Sequence, residues 1–203
     1  MTKERIWVSR VPPAKRKKLL RVPFPYQDEA VDFLTQNRRG ALFIDMGLGK
    51  TSIFLHALME LPRPVLLVGP INVISSVWEK EAREWWATKS LRFCLYRDHP
   101  DLKSLGMERE DLLRERADIY MVNPELLAEV LVSKKAPDFK VLIIDESSMY
   151  KDQSTQRFKV LRKHLHRFTH RYIATGTPSP NGLIDLWSQI FVLDKGESLD
   201  TSI

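Results

Sequence analysis

The apolar run Ala41-Leu42-Phe43-Ile44 leads directly into Asp45-Met46-Gly47-Leu48-Gly49-Lys50-Thr51, and an apolar-periodic stretch begins near Ile53. That order is strand, glycine-rich turn, helix, and it leaves few folds open. Glycine lets backbone N–H groups close on a phosphate chain with no Cβ in the way. The helix start after the turn adds free N–H groups and the positive end of its dipole. In such a cradle Met46, Gly47, Leu48, Gly49 and Ser52 surround the phosphates, Lys50 reaches the β- and γ-phosphates, and the Thr51 hydroxyl ligates Mg²⁺. One position departs from the full pattern: Ile44 stands where a glycine is usual, five residues before Gly49. On these residues alone, a tight strand-to-helix turn with an incidental Gly-Lys-Thr stays open.

The rest of the chain repeats the alternation. Strand-like runs fall at 40–45, 65–69, 91–96, 118–122, 140–145 and 170–174, with helical patterns near 27–38, 50–61, 73–87, 108–116, 124–133 and 155–167. Strands alternating with helices predict an α/β fold with a mostly parallel sheet. Val141-Leu142-Ile143-Ile144 is apolar on both faces, as a central strand covered by helices must be. In such sheets ligands sit beyond the carboxyl ends of the strands. The glycine-bearing and polar turns fall there: 47–51, Gly69-Pro70, Asn123-Pro124, Asp145-Glu146 and Thr175-Gly176-Thr177.

Asp145-Glu146 closes the most apolar strand. Beside a phosphate loop, Asp145 suits Mg²⁺, mainly through the ion's waters. Glu146 suits orientation and deprotonation of an attacking water. The competing reading makes both acids favourable charges at a helix start, with Ser147 or Ser148 as caps.

A chain of 203 residues with 43% hydrophobic and 29% charged residues fits one soluble domain with a sizeable core. No apolar run approaches the roughly 20 residues of a membrane span. The single Cys94 excludes an intramolecular disulfide and a cysteine zinc cluster, so a reducing, intracellular setting (cytoplasmic or nuclear) is expected. The net charge of +6 is uneven. Residues 1–22 hold eight Lys/Arg against one acid, so the rest of the chain carries −1. Lys15 to Lys18 suit nucleic-acid phosphates, or equally a solvated basic linker.

Taken together the motifs resemble the first RecA-like lobe of a Swi/Snf-type ATPase of helicase superfamily two. Phe24-Pro25-Tyr26-Gln27 resembles that family's adenine-reading motif, and its phosphate loop also lacks the outer glycine. The run from Leu66 through Gly69-Pro70 to Trp78-Glu79 and Trp85, and Asn123-Pro124-Glu125, resemble its nucleic-acid-facing motifs. Asp145-Glu146-Ser147-Ser148 matches its second motif, with serine where many relatives carry the histidine that couples to the third. Thr175-Gly176-Thr177-Pro178, followed by Asn181, Leu183, Asp185 and Trp187, resembles that third motif. The resemblance implies a three-layer RecA-like domain that binds ATP and Mg²⁺. It implies catalysis through Lys50, Asp145 and Glu146, adenine contact by Gln27, and DNA contact or coupling through Pro70, Asn72, Asn123, Ser148, Thr175, Gly176 and Thr177. It also implies double-stranded DNA as partner and a second RecA-like lobe supplying arginine fingers, in cis or in another chain. The expected organisation is a basic arm (1–22), an ATP-binding lobe (23–193) and the start of a connection to that second lobe (194–203). A catalytically silent binding module and a stand-alone nucleotide switch are the alternatives. Trp78 and Trp85, seven apart, are expected to pack in the core. His164, His166 and His170 are expected to sit at a solvated helix end.

Overall fold

The computed structural model describes residues 8–10, 22–179, 182 and 184–199. Most of the basic arm, Asn181, Leu183 and residues 200–203 lie outside the described residues.

The chain runs β1 (Val8–Arg10), α1 (Pro25–Gln36), β2 (Arg39–Phe43), α2 (Lys50–Ala57), β3 (Val65–Val68) and α3 (Ile71–Val73). A π-helical turn (Ile74–Trp78) joins α3 to α4 (Glu79–Glu84). Then come β4 (Arg92–Leu95), α5 (Pro100–Ser104), β5 (Ile119–Val122), α6 (Leu127–Val132), β6 (Val141–Asp145), α7 (Gln156–His164), β7 (His170–Thr175) and α8 (Ile184–Asp194). The sheet order is β1-β4-β5-β3-β6-β7-β2. Six strands are parallel, and β1 joins the β4 edge antiparallel, Val8 opposite Cys94.

β3, β5 and β6 are buried along their whole length, which is why they read as unbroken apolar runs. Successive side chains go to opposite faces of a strand. Leu66, Val68, Leu142 and Ile144 therefore meet Leu127, Leu131, Phe158 and Leu161 of α6 and α7 on one face. Val65, Leu67, Val141 and Ile143 meet Leu34, Phe54, Leu55 and Trp78 of α1, α2 and the π turn on the other. The three-layer α/β expectation holds.

Strand register decides where the loops go. Phe43 pairs with Thr175, Ala174 with Asp145, and Ile144 with Val68, which pairs in turn with Val122. The carboxyl ends of β2, β7, β6, β3 and β5 therefore end level, and their five loops share one rim. Local assignments differ in places. The expected helix at 108–116 is a 3₁₀ segment at Arg109–Arg114, and the one at 73–87 starts earlier and contains the π turn. β1 and α5 were not expected, because neither short segment carries a clear apolar period.

Candidate functional site

The rim opens with the loop after β2. Gly47 and Gly49 have φ of 83° and 77°, the left-handed region that costs glycine nothing. At Gly49 a Cβ would fall 2.2 Å from Gln27 Nε2 and 2.9 Å from Ser52 Oγ. The left-handed φ favours glycine here, and the missing Cβ leaves room for the Gln27 amide and the Ser52 hydroxyl. Gln27 is buried and engaged at both ends of its amide. Its Oε1 accepts from the Phe24 N–H (3.0 Å), and its Nε2 donates to Leu48 O and Ser52 Oγ (3.4 Å each). Tyr26 Oη also donates to Leu48 O (3.1 Å), and the Phe24 and Tyr26 rings stack with centroids 5.9 Å apart. The first turn of α1 is thus tied to the phosphate-type loop. Lys50 Nζ lies over that loop, donating to Ile44 O (2.8 Å) and Asp45 O (3.0 Å).

Asp145 and Glu146 face the same cleft in different settings. Asp145 is 8% exposed. Burial pushes its carboxyl above the usual value and Glu146 adds to this, against the Trp78 hydrogen bond and the Lys50 charge. Its Oδ2 accepts from the indole Nε1 of Trp78 at 2.8 Å. Glu146 adopts φ 62°, ψ 63°, a conformation a side chain rarely takes, costing on the order of 1 kcal/mol. Its Oε1 accepts from both Ser148 Oγ (2.6 Å) and Thr175 Oγ1 (2.5 Å). Thr175 Oγ1 in turn accepts from the Thr177 N–H (3.0 Å). The loops after β6 and β7 are therefore joined through one carboxylate oxygen. A Cβ on Gly176 would come within 3.2 Å of Met46, so the loop after β7 also abuts the phosphate-type loop.

Neither serine acts as the cap that the competing reading required. Ser147 Oγ donates to Gln189 Oε1 (2.7 Å), while Gln189 Nε2 donates to Pro178 O (2.6 Å) and Asp185 O (2.8 Å). Gln189 is fully buried and binds the loop after β6 to the one after β7. Sequence reasoning missed it, although a lone amide inside the apolar stretch of α8 was a usable signal.

The remaining predicted residues lie further along the rim. Pro70 caps the helix after β3 through its carbonyl, and Asn72 is exposed on the first turn. Asn123 Nδ2 donates to Glu125 (2.6 Å), while its buried Oδ1 has no partner among the described residues. Trp78 and Trp85 are buried as expected. Among the described residues no cluster of three His, Cys, Asp or Glu could hold a metal, and no helix is long and apolar enough to cross a membrane.

Gln27, Met46, Gly47, Gly49, Lys50, Thr51, Ser52, Asp145 and Glu146 line a single cleft of about 780 Å³. A larger cleft of about 1360 Å³ lies by Tyr96 and Arg109. There Arg109 is paired with Asp98 (2.8 Å) and Glu129 (2.7 Å), and Lys135 with Asp111 (3.0 Å). Its Arg109 and Lys135 are held by carboxylates of the same cleft, and it contains none of the glycine-loop or strand-end residues, so the smaller cleft is the candidate site.

The fold is similar to the Sulfolobus solfataricus SWI2/SNF2 ATPase core in complex with dsDNA. The TM-score is 0.66 at 24% identity, over 91% of this chain and 38% of that one. In sequence the chain is 32% identical to protein p41 of Acyrthosiphon pisum secondary endosymbiont phage 1, over 87% of this chain and 40% of that protein. It is 28% identical to the ISWI chromatin-remodeling complex ATPase ISW1 of Saccharomyces cerevisiae, over 81% of this chain and 15% of that protein. The chain thus spans less than half the length of these relatives. The model of the SNF2-related domain matches residues 26–198, from the helix carrying Gln27 to the turn beyond α8. With the match running through every loop of the rim, the chain belongs to the SNF2-related domain family.

Proposed function

We propose that this chain is the ATP-binding lobe of a DNA-dependent ATPase that couples hydrolysis to movement on, or remodelling of, duplex DNA. The observation carrying this reading is one cleft lined by both the glycine cradle of 47–52 and the acids 145–146. The residues fit a nucleotide with Mg²⁺. The cradle excludes a Cβ at Gly49, a lysine ammonium sits over the loop, and a buried carboxylate has one oxygen engaged by a neutral donor.

In that reading the loop N–H groups and the start of α2 hold the phosphates, and Lys50 supplies the point charge. Thr51 and Asp145 hold Mg²⁺, which when bound neutralises charge on the phosphate oxygens. Glu146 takes a proton from the attacking water. Its Oε1 is occupied by two hydroxyls, which assigns that role to Oε2. Among the described residues lining the cleft, Lys50 is the one Lys or Arg. Further positive charge for the transition state has to come from elsewhere, which supports a second RecA-like lobe. Pro70, Asn72, Ser75 and Asn123, on the same rim, face DNA phosphates, and Ser148, Thr175, Gly176 and Thr177 couple the two sites. The Sulfolobus core that shares the fold is in complex with dsDNA, which supports duplex DNA as the partner.

The test is a calorimetric titration with ATP. Lys50→Ala is expected to weaken binding by about 1.5–3 kcal/mol, and equal affinity in both proteins overturns the site. Joined to a second lobe, the protein should then hydrolyse ATP faster when duplex DNA is added.

A further inference from the structure

Trp78 is fully buried and takes part in three contacts that lead away from simple packing. Its Nε1 donates to Asp145 Oδ2 at 2.8 Å, across 67 residues of sequence. Its ring stacks on Phe54 of α2, with centroids 6.1 Å apart and planes 22° from parallel. It closes the π turn Ile74–Trp78 that interrupts the helix after β3. An additional residue in a helical turn rotates whatever follows by about 100°, and π turns collect at functional sites. The turn therefore sets which way the indole faces. The approach is tight: a Cβ on Gly69 would lie 2.7 Å from Ile74 Cγ2 and 3.4 Å from Asp145 Cβ. Glycine at the end of β3 is what lets this helix come down onto the aspartate.

We propose that Trp78 is a positioning residue for Asp145, holding Oδ2 so that Oδ1 is presented to a divalent cation. This rests on the nucleotide-site reading above. The donor's chemistry is the reason. Among the described residues the indole is the one side-chain donor on this carboxylate. An arginine or lysine here would fix the group equally well but would cancel the charge that attracts the cation. An indole N–H orients an oxygen and leaves its negative charge in place. Partners that orient a metal ligand from behind in this way contribute about 10–100-fold to metal affinity. Stacking on Phe54 holds the indole against the helix that carries Thr51, the other candidate metal-side residue.

The experiment titrates the 203-residue chain and its Trp78→Phe variant with ADP, each with Mg²⁺ and with EDTA. Phenylalanine keeps the stack on Phe54 and removes the donor. In the parent, Mg²⁺ is expected to tighten ADP binding. In Trp78→Phe, affinity in EDTA is expected to stay within about twofold, while the Mg²⁺-dependent gain falls about tenfold. An unchanged gain, or equal weakening in Mg²⁺ and EDTA, makes Trp78 a packing residue and overturns the proposal. If the parent binds no ADP under either condition, the nucleotide-site reading itself fails.

A second measurement needs neither nucleotide nor a folded Trp78 variant. In ¹⁵N-indole spectra of the ligand-free chain, Asp145→Ala removes the acceptor and is expected to move one indole resonance sharply upfield. If every indole resonance stays in place, the hydrogen bond is absent and the proposal falls.

Discussion

Two aspartates at opposite ends of the sheet, Asp118 half-buried and Asp145 buried, show how differently this fold treats a charge. Asp118 precedes β5, at the amino ends of the strands. It accepts from Arg92 through the backbone N–H (2.9 Å), Nε (3.1 Å) and Nη2 (3.3 Å), with Arg63 at 3.8 Å. Burial pushes its carboxyl up, but the Arg92 bonds and the two cations outweigh that and hold it below its ordinary value. Asp145 ends β6 at the carboxyl ends. Burial and the neighbouring Glu146 charge raise its carboxyl, and the neutral Trp78 indole, the Lys50 charge and the Glu146 backbone N–H do not outweigh them. One end of the sheet neutralises its charge within the chain. The other gives Asp145 no cationic hydrogen-bond partner among the described residues. A carboxyl raised by burial and a positive φ fall on adjacent residues, Asp145 and Glu146, two features that gather at functional sites.

The largest effect expected from breaking this contrast is kinetic. In a protein joining this lobe to a second one, Glu146→Gln keeps an oxygen for Ser148 and Thr175 but cannot take a proton. Turnover should fall about 10²-fold or more with ATP binding nearly unchanged. Turnover within a factor of two of the parent would make Glu146 a helix-start charge.

At the other end, Asp118→Asn leaves Arg92 without its counter-charge and should lower unfolding stability by about 2 kcal/mol in urea melts at neutral pH. The pH dependence has a fixed sign. The folded pKa lies below the ordinary 3.8, so this contribution is complete above that value and drains away as pH falls through the folded pKa. Parent and variant stabilities should therefore converge in acid. A constant gap down to low pH would show that the pair acts through shape alone.

The smallest effect has the opposite sign. Asp145→Asn keeps an acceptor for Trp78 and removes a buried charge. Without nucleotide or Mg²⁺ it should raise stability by on the order of 1 kcal/mol. A clear loss in thermal melts would mean that Asp145, like Asp118, is compensated by the fold.

What was legible in the sequence was local chemistry. Gly47, Gly49, Lys50 and the acids after 141–144 announce themselves because glycine and charge at a strand end have few other uses. The fully buried β3, β5 and β6 were legible as apolar runs. What stayed hidden depends on strand order, which alternation alone does not encode. Nothing near Trp78 says that β6 will lie beside β3 and bring Asp145 to its indole. Gln189 bridges two loops that meet only because β7 lies next to β6. The pairing of Val8–Arg10 with β4 was hidden in a basic segment whose charge suggested solvent.

The pairing of β2 with β7 has a consequence for how the molecule is made. The strand carrying the phosphate-type loop is the first of the parallel strands to be synthesised. Among the described residues its one neighbour in the sheet is the last, Arg39 lying opposite Arg171. Until His170–Thr175 emerges, β2 lacks the one strand that pairs with it among the described residues. Closing a contact of such sequence separation is slow and comes late in folding. Nucleotide competence would then appear on a translating ribosome only after β7 is out, making ATP-analogue binding to stalled chains of increasing length a clock for the final step of assembly.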